Sequence, residues 1–93
     1  MDARYYIDPR TNAPHICSHA VSEGEVEDVL DRPIEDRPGR DGSRVAIGQT
    51  RGGRFLRVIY VPDLQPGSVF VITAYGLGPK ALRALRRRRK KKA

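Results

Sequence analysis

The residues whose type and spacing are most suggestive of chemistry lie at the carboxyl-terminal end of the sequence. The stretch KALRALRRRRKKKA, from Lys80 to Ala93, holds nine of the 18 lysines and arginines and no acidic residue. Residues 1–79 carry the other nine, together with all eleven acidic residues. Because dense cations bind polyanions by neutralising their phosphates, the stretch predicts a nucleic-acid partner. The alternative is a solubilising segment that binds any acidic surface weakly.

A second pattern with chemical potential is HICSH, which places His15 and His19 one helical turn apart. Two imidazoles at this spacing can bind Zn²⁺ or Cu²⁺. Cys17 would point away on a helix, and the sequence has no second group of ligands, so we predict neither a metal nor another cofactor. His19 is expected either to cap its helix through a side-chain hydrogen bond or to transfer protons as a general acid or base.

Length and composition indicate one folded domain. The chain has 93 residues, 39% of them hydrophobic, and a formal net charge of +7. The single cysteine excludes an internal disulfide and fits a reducing compartment. No apolar run approaches the roughly 20 residues that span a bilayer, and the first residues show no export signal. We therefore expect a cytoplasmic protein without a membrane partner.

The first half of the chain predicts one strand and two short helices. Residues 4–8, RYYID, are rich in β-forming side chains and are followed by proline. Asn12 is the expected N-cap of a helical segment that ends near His19. Ser22 and Glu25 have the spacing of a capping box, which predicts the start of a second helix.

The second half of the chain predicts a loop, three strands and a final helix. Charged and turn-forming residues from Glu35 to Arg44 indicate the loop. Three apolar stretches then follow, each typical of a β-strand: RVAIGQ, RFLRVIYV and SVFVITAY. Their short connections imply an antiparallel meander. Gly78 and Pro79 suit the N-cap and first position of a helix whose apolar face ends at Leu85.

These elements define an α+β fold with helices packed against one sheet. Its order is a strand, two short helices, a three-stranded antiparallel meander and a carboxyl-terminal helix. We place the domain at residues 1–85 and a basic tail at residues 86–93. The tail has no apolar side chain to anchor it before its last residue, so we expect it to fray into solvent.

Several short motifs, spread over nearly the whole chain, occur together in a characteristic order. They are YID, HAVSEGEVEDVL, DRPGRDGSRVAIG, GRFLRVIY and VITAY. In this order they resemble the BrnT family, the bacterial ribonuclease toxins of type II toxin–antitoxin pairs whose fold is related to that of RelE and ParE toxins. The resemblance implies a RelE/BrnT-like fold and a cognate antitoxin protein as partner. It also implies that the substrate is RNA, either free or on the ribosome.

Cleavage of RNA by its own 2′-hydroxyl requires removal of that proton, stabilisation of the pentavalent phosphorane and protonation of the leaving 5′-oxygen. RelE-like folds meet these needs with polar residues on a sheet face and without metal. The candidate catalytic residues here are Arg44, Arg57, Tyr60, Tyr75 and His19. The candidate nucleic-acid-binding residues are the remaining cations near the sheet and at the carboxyl-terminal end: Arg54, Lys80, Arg83, Arg86, Arg87, Arg88, Arg89, Lys90, Lys91 and Lys92.

Most of these residues also have a structural interpretation. Arg57 interrupts an otherwise apolar strand, so it either faces a functional surface or pairs with a loop carboxylate. Arg44 has the same two alternatives. Tyr60 and Tyr75 are either rim or core aromatics, or they stack on bases or transfer protons. Arg54 lies beside a tight turn and is expected to be solvated.

The sequence departs from the BrnT pattern at two positions. Ala20 stands where the family usually has glycine, at a helix end that needs a left-handed backbone, at a cost of about 1 kcal/mol. Tyr75 replaces an arginine at the end of the last strand, and RRRRKKK stands where the family's tail tends to carry acidic and tyrosine residues. These departures favour a second hypothesis, a non-catalytic RNA- or ribosome-binding module that uses the tail. A third is an interaction protein whose tail binds an acidic partner.

Overall fold

The computed structural model describes the backbone of residues 2–92 and the side chains of residues 2–90. The elements are β1 (Asp2–Tyr5), β2 (Ile7–Asp8), β3 (Ala13–Pro14), a 3₁₀ helix (His15–His19), α1 (Glu23–Asp31), β4 (Glu35–Pro38), a 3₁₀ turn (Arg40–Gly42), β5 (Arg44–Gln49), β6 (Phe55–Pro62), β7 (Ser68–Gly76) and α2 (Pro79–Lys92). Five strands form one sheet in the order β1-β7-β6-β5-β4, and β2 pairs with β3 separately. The predicted α+β class and the antiparallel meander of β5, β6 and β7 are confirmed.

The amino-terminal segment differs from the prediction. The single strand expected over residues 4–8 is divided into two strands, β1 and β2. Strand β1 starts earlier than predicted, at Asp2, and pairs in parallel with β7. The prediction of a helix that starts after Asn12 is wrong, since Asn12 has a positive φ of 56° and β3 follows it. The Asn12 N–H donates to the carbonyl oxygen of Asp8 (2.7 Å), which closes a turn between β2 and β3. Only the short 3₁₀ helix remains of the predicted helical segment.

Helix α1 begins as its capping box predicts. The Ser22 hydroxyl accepts the Glu25 N–H (3.2 Å), and the Glu25 carboxylate accepts the Ser22 N–H (3.0 Å). The helix packs on the sheet through an apolar face that includes Val26 and Val29, both fully buried. A side chain at Gly48 on β5 would place its Cβ 3.1 Å from a methyl group of Val29, so glycine permits this close approach.

The segment predicted as a loop from Glu35 to Arg44 contains a strand. Its first four residues form β4, which pairs antiparallel with β5 and forms one edge of the sheet. Charged residues are tolerated there because an edge strand is covered less than a central one. The loop prediction holds only for the turn that connects β4 to β5.

Side chains alternate along each strand, so the sheet has two different faces. The α1 face carries the main core, which includes Ala46, Leu56, Val58 and Ala74. The opposite face, which we call the α2 face, carries a row of four residues that are paired across neighbouring strands. From β4 to β7 they are Glu35, Ile47, Arg57 and Tyr75.

Helix α2 begins at Pro79 as predicted and contacts the α2 face. Leu85 is fully buried, and Arg88, on the same side of the helix, donates two hydrogen bonds to the Glu35 carboxylate (2.8 and 3.0 Å). The expected fraying after Leu85 is therefore wrong, because α2 continues to Lys92 and Arg88 anchors it. Neither α2 nor any other described helix has the length and apolar character needed to cross a membrane.

Candidate functional site

Four aromatic rings and one guanidinium form a continuous chain of contacts beside the end of β7. The ring centroids of Tyr6 and His15 are 6.3 Å apart, and those of His15 and His19 are 5.2 Å apart. His19 lies 5.8 Å from the Tyr75 ring, and the Arg57 Cζ lies 5.8 Å from the same ring. We call these five residues the ring cluster. It unites three of the predicted catalytic residues, His19, Tyr75 and Arg57, in one place.

Arg57 meets an aromatic ring, rather than a loop carboxylate, in the part of the chain that the structure describes. Its position directly opposite Tyr75 on the neighbouring strand makes this contact possible. The Arg57 Nε is buried and has no hydrogen-bond partner among the described residues. Arg57 also lines a cleft of about 250 Å³ with Arg37, Val45 and Ile47, among others. The guanidinium is therefore partly desolvated and beside open space.

The His15 imidazole contacts the buried carboxylate of Asp8. Asp8 is only 4% exposed, and its Oδ2 lies 3.4 Å from the His15 Nδ1. The Arg10 backbone N–H donates to the other oxygen (2.9 Å), which is the main reason why the pKa of Asp8 lies below its usual range. The Arg10 side chain and His15 lower this pKa further. Asp8 is therefore a carboxylate at neutral pH and orients the imidazole of His15.

Arg54 caps the corner between the 3₁₀ helix and α1. Ala20 at this corner has the left-handed backbone expected there (φ 56°, ψ 39°). The Arg54 guanidinium donates to the carbonyl oxygens of Ala20 (2.7 Å) and His19 (3.5 Å), and it pairs with Glu25 at 3.2 Å. The Arg54 side chain is 40% exposed, so it is solvated in part, as predicted, while it also binds this corner. The prediction that the His19 side chain caps this corner is wrong, because Arg54 fulfils that role.

Replacing Arg54 with methionine is expected to lower the free energy of unfolding by about 1–2 kcal/mol, because charge-assisted hydrogen bonds to two carbonyl oxygens and Glu25 are lost. Urea denaturation measures this loss. Arg51→Met is the matched control, since Arg51 is 92% exposed and its ion pair with Asp28 is long (3.6 Å). We expect the control to change stability by less than about 0.5 kcal/mol. Equal effects of the two substitutions would contradict the capping role.

Replacing Ala20 with glycine is expected to raise the free energy of unfolding by about 1 kcal/mol, because glycine adopts the left-handed backbone without a steric cost. Ala84→Gly in the interior of α2 is the opposing control and should lower stability by about 1 kcal/mol. Both changes are measured by thermal or urea unfolding. A loss of stability in both variants would show that the corner is not strained.

Arg44 and Tyr60 form a separate network on the α1 face. The Tyr60 hydroxyl donates to Asp36 (2.5 Å), and the Arg44 Nε donates to the other oxygen of the same carboxylate (2.8 Å). Burial raises the pKa of Tyr60, and the hydrogen bond to Asp36 raises it further. Arg44 and Tyr60 are paired with each other three positions along the β5–β6 ladder from Arg57, on the other face. The structure therefore does not bring these two predicted catalytic residues to the ring cluster.

Helix α2 exposes a line of cations to solvent. Lys80, Arg83, Arg87 and Lys90 follow the helical repeat on one side, and we call them the basic stripe. Arg86 and Arg89 are also exposed. Arg88 differs, because it is half-buried and paired with Glu35. The predicted side-chain roles of Lys91 and Lys92 lie outside the described side chains.

The first residue of the basic stripe follows Tyr75 of the ring cluster closely in the chain. Tyr75 and Lys80 are separated by five positions, so their Cα atoms lie within about 17 Å of each other. Among the described residues, no group of three or more His, Cys, Asp or Glu side chains is arranged to hold a metal ion.

The fold and these sites define a small α+β protein with an imidazole–tyrosine–arginine cluster beside its sheet and an exposed basic helix. Residues 18–76, well over half of the chain, match the family described as a domain of unknown function, DUF4258. The chain therefore belongs to the DUF4258 family. The match includes His19, Arg57 and Tyr75, whereas His15 and the basic stripe lie outside it. Neither a curated protein nor a solved structure matches the chain.

Proposed function

We propose that this protein is a BrnT-like toxin of a type II toxin–antitoxin pair and acts as a metal-independent endoribonuclease. The observation that carries the proposal is the contact of the Tyr75 ring with His19 on one side and Arg57 on the other. It brings an imidazole, which can transfer protons, and a cation together at one aromatic ring. The setting we propose is the cytoplasm, with a cognate antitoxin protein as the inhibitor.

Each member of this trio supplies one need of the reaction. An imidazole exchanges protons near neutral pH, and His19 is exposed, so it can reach a ribose hydroxyl or a leaving oxygen. The Arg57 guanidinium can neutralise the charge that develops on the phosphorane, and its partial desolvation strengthens that attraction. Tyr75 separates the two groups and offers a ring on which a base can stack.

The replacement of the BrnT arginine by Tyr75 is compatible with catalysis on this fold. Arg57 occupies the position directly opposite Tyr75 on β6 and packs against its ring. A guanidinium is therefore present at this end of the sheet, although it comes from the neighbouring strand. We propose that Arg57 takes the charge-stabilising role that the resemblance assigns to the missing arginine.

The proposal is tested with the purified full-length chain and a labelled RNA in the presence of EDTA. We expect fragments with a 2′,3′-cyclic phosphate on one side of the cut and a 5′-hydroxyl on the other. Induced expression should also arrest growth and degrade cellular RNA, and co-expression of the cognate antitoxin that we propose should prevent both. Intact RNA in both experiments would overturn the proposal.

The exposed cations of α2 favour a second candidate function, a non-catalytic RNA- or ribosome-binding module. Such a module would bind RNA tightly at low salt and leave it intact, with affinity falling steeply as salt rises. Glutamine at Arg86, Arg87, Arg89 and Lys90 distinguishes the two functions and leaves the Arg88 anchor in place. This variant should lose binding if the protein is only a module, whereas a nuclease should retain slow cleavage.

A further inference from the structure

We infer that His15 is the second proton-transfer group of this ribonuclease and that Asp8 is its positioning residue. The inference rests on the proposed function. Transfer of the phosphoryl group to the 2′-oxygen needs a base at the nucleophile and an acid at the leaving group, and these two oxygens lie on opposite sides of the phosphorus. One exposed imidazole can serve only one of them at a time.

The 3₁₀ helix places a second imidazole beside the first. The His15 and His19 ring centroids are 5.2 Å apart with an interplanar angle of 72°, so the two rings can address different oxygens of one phosphate. The His15 side chain is 29% exposed, which leaves part of its ring accessible to a substrate. Its backbone N–H donates to the Tyr6 carbonyl oxygen (2.9 Å), which fixes the start of the helix.

Asp8 gives His15 the chemistry of a base. The buried carboxylate lies 3.4 Å from Nδ1, so a proton on Nδ1 is favoured and Nε2 is left with its lone pair for the substrate. The same carboxylate stabilises the imidazolium that forms when Nε2 accepts a proton, as the carboxylate of a catalytic triad does. His19 has no such carboxylate among the contacts that the structure describes and takes the role of the acid.

His15 and His19 together account for both proton transfers of the reaction. The His15 Nε2 takes the proton of the 2′-hydroxyl, and a bond forms between the 2′-oxygen and phosphorus. The bond between phosphorus and the 5′-oxygen breaks, and the protonated His19 ring gives its proton to that oxygen. The products are a 2′,3′-cyclic phosphate and a 5′-hydroxyl, and proton exchange with water restores both imidazoles.

The test compares two RNA substrates with the full-length chain. One is an ordinary oligoribonucleotide, and the other has sulfur in place of the bridging 5′-oxygen, so that its leaving group departs without a proton. His15→Ala and His19→Ala should each lower kcat on ordinary RNA by about 10²–10⁴-fold. The sulfur substrate should restore the rate of His19→Ala but not that of His15→Ala. Restoration of the His15→Ala rate would overturn the assignment of His15 as the base.

Asp8→Asn tests the positioning role with a side chain of the same shape. We expect kcat to fall about 10–100-fold with an unchanged KM, because the neutral amide of asparagine does not stabilise the His15 imidazolium as the carboxylate does. Cys17→Ala, on the exposed part of the same helix, should leave kcat unchanged, and urea unfolding checks that each variant is folded. An unchanged kcat in folded Asp8→Asn and His15→Ala, alongside an inactive His19→Ala, would overturn this inference alone. A wild-type chain without cleavage would overturn the proposed function itself.

Discussion

Glutamine at all four positions of the basic stripe is expected to weaken RNA binding on the order of 10²-fold or more at 0.1 M salt. Each phosphate contact on a single strand contributes about 0.7 to the slope of log affinity against log salt, so four lost contacts flatten the slope by about 3. Fluorescence anisotropy with a labelled RNA at about 0.05 to 0.2 M salt measures both quantities. The fold should be unaffected, because Lys80, Arg83, Arg87 and Lys90 are all exposed.

The matched control removes the same charge from the rest of the molecule. Glutamine at Arg4, Arg32, Arg40 and Arg51, which are also exposed, lowers the net charge equally without touching α2. We expect this control to keep most of the affinity and nearly all of the salt slope. An equal loss in both variants would mean that RNA responds to the overall charge and that α2 is not the interface.

The distribution of ion pairs explains why α2 should dominate. Most arginines of the body pair with a carboxylate, as Arg44 does with Asp36 and Arg54 does with Glu25. On α2, Arg88 pairs with Glu35 and so attaches the helix to the sheet. The stripe residues on the opposite side of α2 face solvent, where their charges add along one line.

The sequence was sufficient for features that depend on neighbouring residues. The capping box of Ser22 and Glu25, the meander and the start of α2 at Pro79 all have local signals, and all are confirmed. The parallel pairing of β1 with β7 has no local signal, because it joins the two ends of the domain. The edge strand β4 was missed for a similar reason, since its pairing with β5 outweighs its charged composition.

The candidate site was predictable in part. Arg57 and Tyr60 are three residues apart in one strand, so the alternation of side chains already places them on opposite faces. That rule separates Tyr60 from Arg57, whereas the place of Tyr75 beside Arg57 depends on the register between β6 and β7. The link between Asp8 and His15 and the cap that Arg54 forms on Ala20 join distant residues through side-chain contacts. No spacing rule in the sequence reports such contacts.

Arg57→Met is expected to change catalysis and stability in opposite directions. Cleavage should fall about 10²–10³-fold, because the charge on the phosphorane loses its partner. The free energy of unfolding should stay equal or rise by up to about 1 kcal/mol, because methionine removes a buried Nε that has no hydrogen-bond partner among the described residues. Single-turnover cleavage at saturating RNA and urea unfolding measure the two effects separately.

Arg44→Met on the neighbouring strand is the control with the reverse pattern. It leaves Asp36 without its ion pair at 2.8 Å, so stability should fall by about 1 kcal/mol, while cleavage should stay within about twofold of wild type. A stabilising substitution that abolishes activity is typical of a residue kept for function, because a purely structural residue lowers both when it is lost. If Arg57→Met instead lowered stability and left cleavage intact, Arg57 would be structural and the ring cluster would not be the site of the reaction.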